Sequence, residues 1–253
     1  MAKNKHYYIR KSHRYLGIIL GVQFLIWTVS GMYFSWTNND EIHGDFQHKR
    51  PPHLAGNLNF ISPTAVFNKS NIHVDSIQSI QLVSILGKPH FSVQYFFGRG
   101  LKKILADAVT GEIRPASTKD EAIKIAAESF VGEPKAKLVE YITSTDGHHE
   151  YREKPLPAWG ITFDHPTNTT VYVSADGGKV ESFRNNKWRL FDFLWMGHTM
   201  DYKSRDNINN WLLRIFSAFG LITVLSGFLL FWISSKTIRR GQKAIWVAST
   251  PDN

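Results

Sequence analysis

Three groups of residues in this chain have types and spacings that could do chemistry. His13 stands at the edge of a long uncharged run. Gly17, Gly21 and Thr28 follow it at four, eight and fifteen residues, on the His13 face of a helix. An imidazole above a groove of small residues suits a flat macrocycle ligated through one ring nitrogen. Arg10, Lys11 and Arg14 surround that histidine and could pair with carboxylates carried by the macrocycle. An ordinary Gly-x-x-x-Gly packing face beside an interfacial histidine accounts for the same spacing. His198 is the second group, in Trp195-Met-Gly-His198-Thr-Met-Asp201-Tyr202, on a short interfacial segment before a second apolar run. A surface histidine in an amphipathic stretch is its rival account. The third group is His43, His48 and His53, five residues apart, which could sample ferric iron or another metal. Solvated loop histidines are the simpler account of that stretch, and His73, His90, His148, His149 and His165 read as ordinary.

Several chemistries are absent from the sequence. There is no cysteine, so disulfides, zinc-thiolate sites, iron–sulfur clusters and cysteine nucleophiles are excluded. No Gly-x-Gly-x-x-Gly opens a helix after a strand, and there is no P-loop and no nucleophile elbow.

The elements that must position the histidines are legible from charge and hydropathy. Residues 15–36 and 215–233 carry no charge. As helices they are about 33 Å and 28 Å long, against a hydrocarbon core of about 30 Å. Trp36, Trp211 and Trp232 stand near their edges, as interfacial aromatics do. Mean hydropathy over the whole chain is −0.23, which hides this segregation. The formal net charge is +9, from 30 basic and 21 acidic side chains. Residues 37–210 are neutral, so the whole excess flanks the apolar runs: Lys3, Lys5, Arg10, Lys11 and Arg14 before the first, Arg214 at the second, and Lys236, Arg239, Arg240 and Lys243 after it. This is a positive-inside pattern with both termini cytoplasmic. A nucleic-acid partner would need a basic face on the folded domain, and that domain is neutral. The first run is too long for a signal peptide and lacks a small-residue cleavage site, so it reads as a signal anchor. The expected organisation is a cytoplasmic N-terminus (1–14), a first span (15–36), an extracytoplasmic domain with an interfacial segment (37–210), a second span (211–233) and a cytoplasmic tail (234–253).

The middle region predicts an α+β domain. Residues 37–56 read as a linker rich in Asn, Pro and Gly. A helix opens at Ser62-Pro63, and strands follow over 79–85, 90–97 and 102–113. Thr118-x-x-Glu121 is a capping box leading into a helix over 122–131, which Gly132 and Pro134 stop. Strands return over 136–142, 158–165 and 169–183. The order helix–strand–strand–strand thus occurs twice. The closing hairpins superpose in sequence, Asp107-Ala-Val-Thr-Gly111-Glu-Ile on Ser174-Ala-Asp-Gly-Gly178-Lys-Val. The expectation is two small antiparallel sheets, each backed by one helix.

The entry Lys11-Ser-His13-Arg14-Tyr-Leu-Gly17-x-x-x-Gly21, ending in Ser30-Gly31, resembles the first helix of the PepSY-associated transmembrane proteins. The segment 195–202 resembles the lead into their second helix, and the hairpins 107–113 and 174–180 resemble the PepSY module. Together these cover most of the chain. The family includes haem-containing inner-membrane ferric and ferric-siderophore reductases of bacteria. The resemblance implies haem b as cofactor, with His13 and His198 as axial ligands, Arg10, Lys11 and Arg14 beside the propionates, and Gly17 and Gly21 lining the haem groove. It implies a multi-pass protein of the bacterial inner membrane, N-in and C-in, with the main domain periplasmic. Two spans rather than four set this chain apart from the larger members.

Two spans also constrain how a haem is completed. His13 and His198 stand at opposite faces of the membrane, and neither span holds another histidine. A two-fold dimer would pair each histidine with its symmetry mate, and His43 is the fallback partner for His198. The first expectation is a haem-b electron-transfer protein reducing ferric iron or a ferric chelate at the periplasmic face in support of iron uptake, with quinol as candidate donor. The alternatives are a non-enzymatic, membrane-anchored PepSY binding or regulatory module, and an accessory subunit of an iron transporter.

Overall fold

The computed structural model describes residues 5–50 and 53–235. Lys3 and the basic residues after Ser235 lie outside the described residues. The chain divides into two compact units, residues 37–192 and a unit made of 1–36 with 193–253.

The second of these is helical. α1 spans Lys5–Trp36 and α6 spans Trp211–Ser234. Both are long and apolar enough to cross a membrane, and only 17% and 11% of their apolar windows are buried against the rest of the protein. α1 starts ten residues earlier than the uncharged run. The basic N-terminal segment contains no Gly or Pro, and Lys and Arg are good helix formers. The two helices pack antiparallel: a Cβ at Gly220 would lie 3.2 Å from Phe24, and one at Gly227 would lie 3.5 Å from the His13 ring. Leu20 and Thr223 are buried in the same unit. α6 is capped by Asn210, whose side chain accepts from the Leu213 N–H.

Residues 37–192 form the α+β unit, with two antiparallel sheets. The first is β1 (Ser76–Ile85), β2 (Lys88–Phe97) and β3 (Gly100–Asp107), in that order. α3 (Pro63–Ser70) backs it, burying Val66 and Phe67 against Phe91, Val93 and Tyr95. The second is β4 (Ala136–Ile142), β5 (Ala158–Phe163), β6 (Thr170–Ser174) and β7 (Lys179–Arg184). α4 (Lys119–Glu128) backs it through Ala122, Ile125 and Ala126, which join Ile161, Phe163, Val171 and Val173 in one core. Ile85 and Leu105 of the first sheet belong to that core too.

The two closing turns are copies of one device. The Gly111 N–H donates to the Asp107 carbonyl at 2.8 Å, and the Gly178 N–H to the Ser174 carbonyl at 2.9 Å. Both glycines have positive φ, 77° and 56°. The side chains of Asp107 and Ser174 each accept from backbone N–H groups inside their own turn. The repeat is not complete. The second sheet has four strands, because residues beyond Gly178 form a full strand, whereas beyond Gly111 only Ile113 pairs, in a single bridge to Ala106.

Two other expectations need correction. The stretch 37–56 is not a bare linker: it holds α2 (Asn39–His43), a 3-10 turn at Asp45–Gln47 and a strand-like bridge from His48 to Phe130. Asn38 caps α2, Gly44 ends it at φ 77°, and Ile42 anchors it in the core. The helix expected over 122–131 runs instead from the residue after its cap to Glu128, which frees Phe130 for the His48 bridge. The capping box itself is formed, with Thr118 accepting from Glu121 N–H and Glu121 accepting from Thr118 N–H. Thr118→Ala should therefore cost about 1 kcal/mol of unit stability, read as a lowered denaturant midpoint with an unchanged slope.

Candidate functional site

α5 spans Asn186–Thr199, and its last turn carries His198. The last carbonyls of a helix have no partner inside it. Here Gln23 Nε2 of α1 donates to the Gly197 carbonyl at 3.0 Å, Trp27 Nε1 to the His198 carbonyl at 2.7 Å, and Asn210 Nδ2 to the Thr199 carbonyl at 2.9 Å. The end of α5 is thus held against the middle of α1 rather than at its rim. His198 lies in the last turn of a short helix that precedes the second apolar helix, as the sequence predicts.

The His198 ring is half-buried in an aromatic cage. Trp195 lies parallel to it at 6.2 Å, with Phe34 at 5.4 Å and Trp27 at 6.5 Å. Its Nδ1 is 2.7 Å from the Ser30 hydroxyl of α1. His13, seventeen residues before Ser30, makes the corresponding contact with the other helix: its Nδ1 is 2.7 Å from the Ser226 hydroxyl of α6. Seventeen residues of α-helix separate the two imidazole levels by roughly 26 Å.

Arg10, Lys11 and Arg14 line, with Tyr7, a concavity of about 400 Å³ near His13 in the sequence. Lys11 and Arg14 also lie over the Tyr15 ring. No acidic residue occurs in the first 36 positions, so α1 itself offers these cations no counter-charge. Gly17 and Gly21 are open: a Cβ at either would meet nothing within 4 Å. The α6 contact passes through His13 and Phe24 and leaves Gly17 and Gly21, expected on the same face as His13, open at its margin.

These observations fit a haem. The fitting features are two imidazoles held through Nδ1, an open glycine stripe next to one of them, and three cations on α1 that no acidic residue of that helix can pair with.

The remaining candidates fall elsewhere. His43 ends α2, the His48 ring lies edge-on to Phe183, and His53 is in a loop. Among the described residues no three His, Cys, Asp or Glu side chains gather as a metal group. His90 is buried in β2 with Nδ1 near the Lys88 carbonyl, and His165 bonds Thr167. A second concavity of about 380 Å³, beside Gln47 and Thr167, holds polar groups that satisfy one another.

Gln23, Trp27, Ser30 and Ser226 do structural work at this site that spacing did not assign. The signals were a lone Gln in an apolar run and the dipeptide Ser-Gly in each long helix, at 30–31 and 226–227. A polar group in such surroundings needs a partner.

The loop after His198 is also fastened. Asp201 is buried, which opposes its charge, but the Ser204 hydroxyl and the N–H groups of Asn207, Ser204 and Lys203 outweigh this and bring its pKa down to about 2. A folded value below the unfolded one of about 3.9 gives stability that is full above about pH 4 and lost as pH falls through about 2. Asp201→Ala should speed amide exchange at Ser204 and Asn207 at pH 5, with little further change at pH 2.

No protein-family model, no curated protein and no solved structure matches this chain.

Proposed function

We propose that this protein is a two-span membrane protein that binds haem b and passes electrons to ferric iron or a ferric chelate. The single observation that carries the reading is the pair of half-buried histidines, each anchored through Nδ1 by a serine of a neighbouring apolar helix. His13 and His198 are the axial ligands, Arg10, Lys11 and Arg14 pair with the propionates, and Gly17 and Gly21 leave room for the flat ring. Haem, when bound, supplies one-electron chemistry. With no cysteine in the chain it is held without thioether bonds, which excludes a c-type haem.

The chain's own residues do the rest. The cage of Trp27, Phe34 and Trp195 keeps water from His198. Gln23 and Trp27 fix the height of His198 along α1. Because one chain offers one histidine at each level, a second copy supplies the other imidazole, and the open glycine face permits close approach. The positive flanks orient both termini to the cytoplasm of the bacterial inner membrane, quinol is the candidate donor, and residues 37–192 with their two PepSY-like modules face the periplasm.

In detergent, the protein from haem-replete cells should carry haem at the mass of a dimer. A haem-loaded monomer would overturn the shared-ligand arrangement. Cells that make the protein should reduce external ferric chelate faster than cells that lack it.

A second reading has one observation behind it. β1 is the open edge of its sheet, ten residues without a charge, exposing Ile77, Ile80 and Leu82. Such an edge can take an extended peptide. On that reading the protein is a membrane-tethered binding module, and it is colourless.

A further inference from the structure

We propose that Ser226 and Ser30 are positioning residues that fix His13 and His198 as their Nδ1–H tautomers, so that Nε2 is the ligating nitrogen at both levels. The argument is a count of protons. A serine hydroxyl has one hydrogen to donate. Ser226 Oγ lies 2.7 Å from the Thr223 carbonyl, three residues back in α6. Ser30 Oγ lies 2.6 Å from the Ile26 carbonyl, four residues back in α1. Two oxygens at these separations repel unless a hydrogen lies between them, so each hydroxyl donates to its own helix. The same oxygen is then an acceptor toward the imidazole 2.7 Å away. Nδ1 must supply the hydrogen, and the lone pair of the neutral ring is left on Nε2.

The device occurs twice with the same parts: a histidine, a serine followed by glycine on another helix, and a carbonyl one turn back. In each case it links residues far apart in sequence, His13 to Ser226 and His198 to Ser30. An imidazole whose second nitrogen donates to a fixed acceptor is a stronger and better-oriented metal ligand, and removing such a partner typically weakens binding about 10–100-fold.

The identity of the ligand rests on the haem reading; the tautomers do not. The test has two arms on the full-length protein in detergent. In the haem-free protein labelled with ¹⁵N-histidine, both rings should show a protonated Nδ1 and a bare Nε2, and Ser226→Ala and Ser30→Ala should each broaden or shift the signals of one ring only. Titration with ferric haem should show each alanine variant weakened about 10–100-fold at one level. Ser226→Thr and Ser30→Thr, which keep the hydroxyl, should restore binding and so separate lost positioning from lost folding. A protonated Nε2 in the wild-type protein overturns the proposal, and so do alanine variants with unchanged signals and unchanged affinity. If the wild type binds no haem yet shows both Nδ1–H rings that respond to their serines, the tautomer proposal stands and the haem reading falls.

Discussion

Changing His198 to alanine should leave the protein with about half of its haem, and changing His13 and His198 together should leave none. The expectation follows from the separation of the two levels. They lie seventeen residues apart along α1, roughly 26 Å, so neither imidazole can reach across to replace the other. No other histidine lies in α1 between His13 and Trp36 or anywhere in α6. The fold should survive the loss of His198, because α1 grips α5 through backbone carbonyls. Gln23 and Trp27 donate to the carbonyls of residues 197 and 198, which an alanine keeps. Ser30 likewise keeps its bond to Ile26. Haem quantitation against protein, with mass in detergent as a control for folding, measures the effect. A full haem complement in both single variants would show that the ligands are other residues.

The second large effect lies in the α+β unit. Phe130→Ala should destabilise it by about 3–5 kcal/mol, a large share of the 5–15 kcal/mol typical of a domain. Phe130 is 2% exposed. Its ring meets Phe163 at 5.1 Å, stacks on Phe183 at 6.2 Å and takes His165 edge-on at 5.4 Å. Its backbone joins the segment after α2 to the second sheet's core through the bridge to His48, flanked by Lys49 N–H to Ser129 O and Val131 N–H to Gln47 O. Truncation therefore opens a cavity where three elements meet, with little freedom to collapse. The unit should melt roughly 10 °C lower, followed by tryptophan fluorescence. A shift under about 2 °C would mean that the site repacks around the missing ring.

Much of this arrangement is written locally and can be read locally. The Thr118–Glu121 box, Pro63 behind Ser62, strand 136–142 and the two glycine turns depend on neighbours within a few residues, and each forms where the sequence places it. The long helices follow from uncharged runs, because every backbone group in them is satisfied inside the helix. Non-local features do not announce themselves in this way. Nothing near Ser30 shows that it will meet His198, and nothing near Gln23 shows that it will cap α5. Those contacts join segments about 170 residues apart and exist only once α1 and the end of α5 lie side by side. The region 37–56 misled for a related reason. Its Asn, Gly and Pro content suits a loop, yet Asn38 and Gly44 act as the two caps of a short helix whose stability comes from burying Ile42. The direction of α6 packing was open at the level of spacing: the glycines of α1 stay open, and the close approach is made instead by Gly220 and Gly227 of α6 against Phe24 and His13.

The visible absorption spectrum of the purified protein, oxidised and then reduced with dithionite, bears most directly on the central claim. A Soret band that sharpens on reduction, with resolved α and β bands that fade in the His13→Ala, His198→Ala double variant, is the predicted result. A colourless protein from cells replete in haem contradicts it.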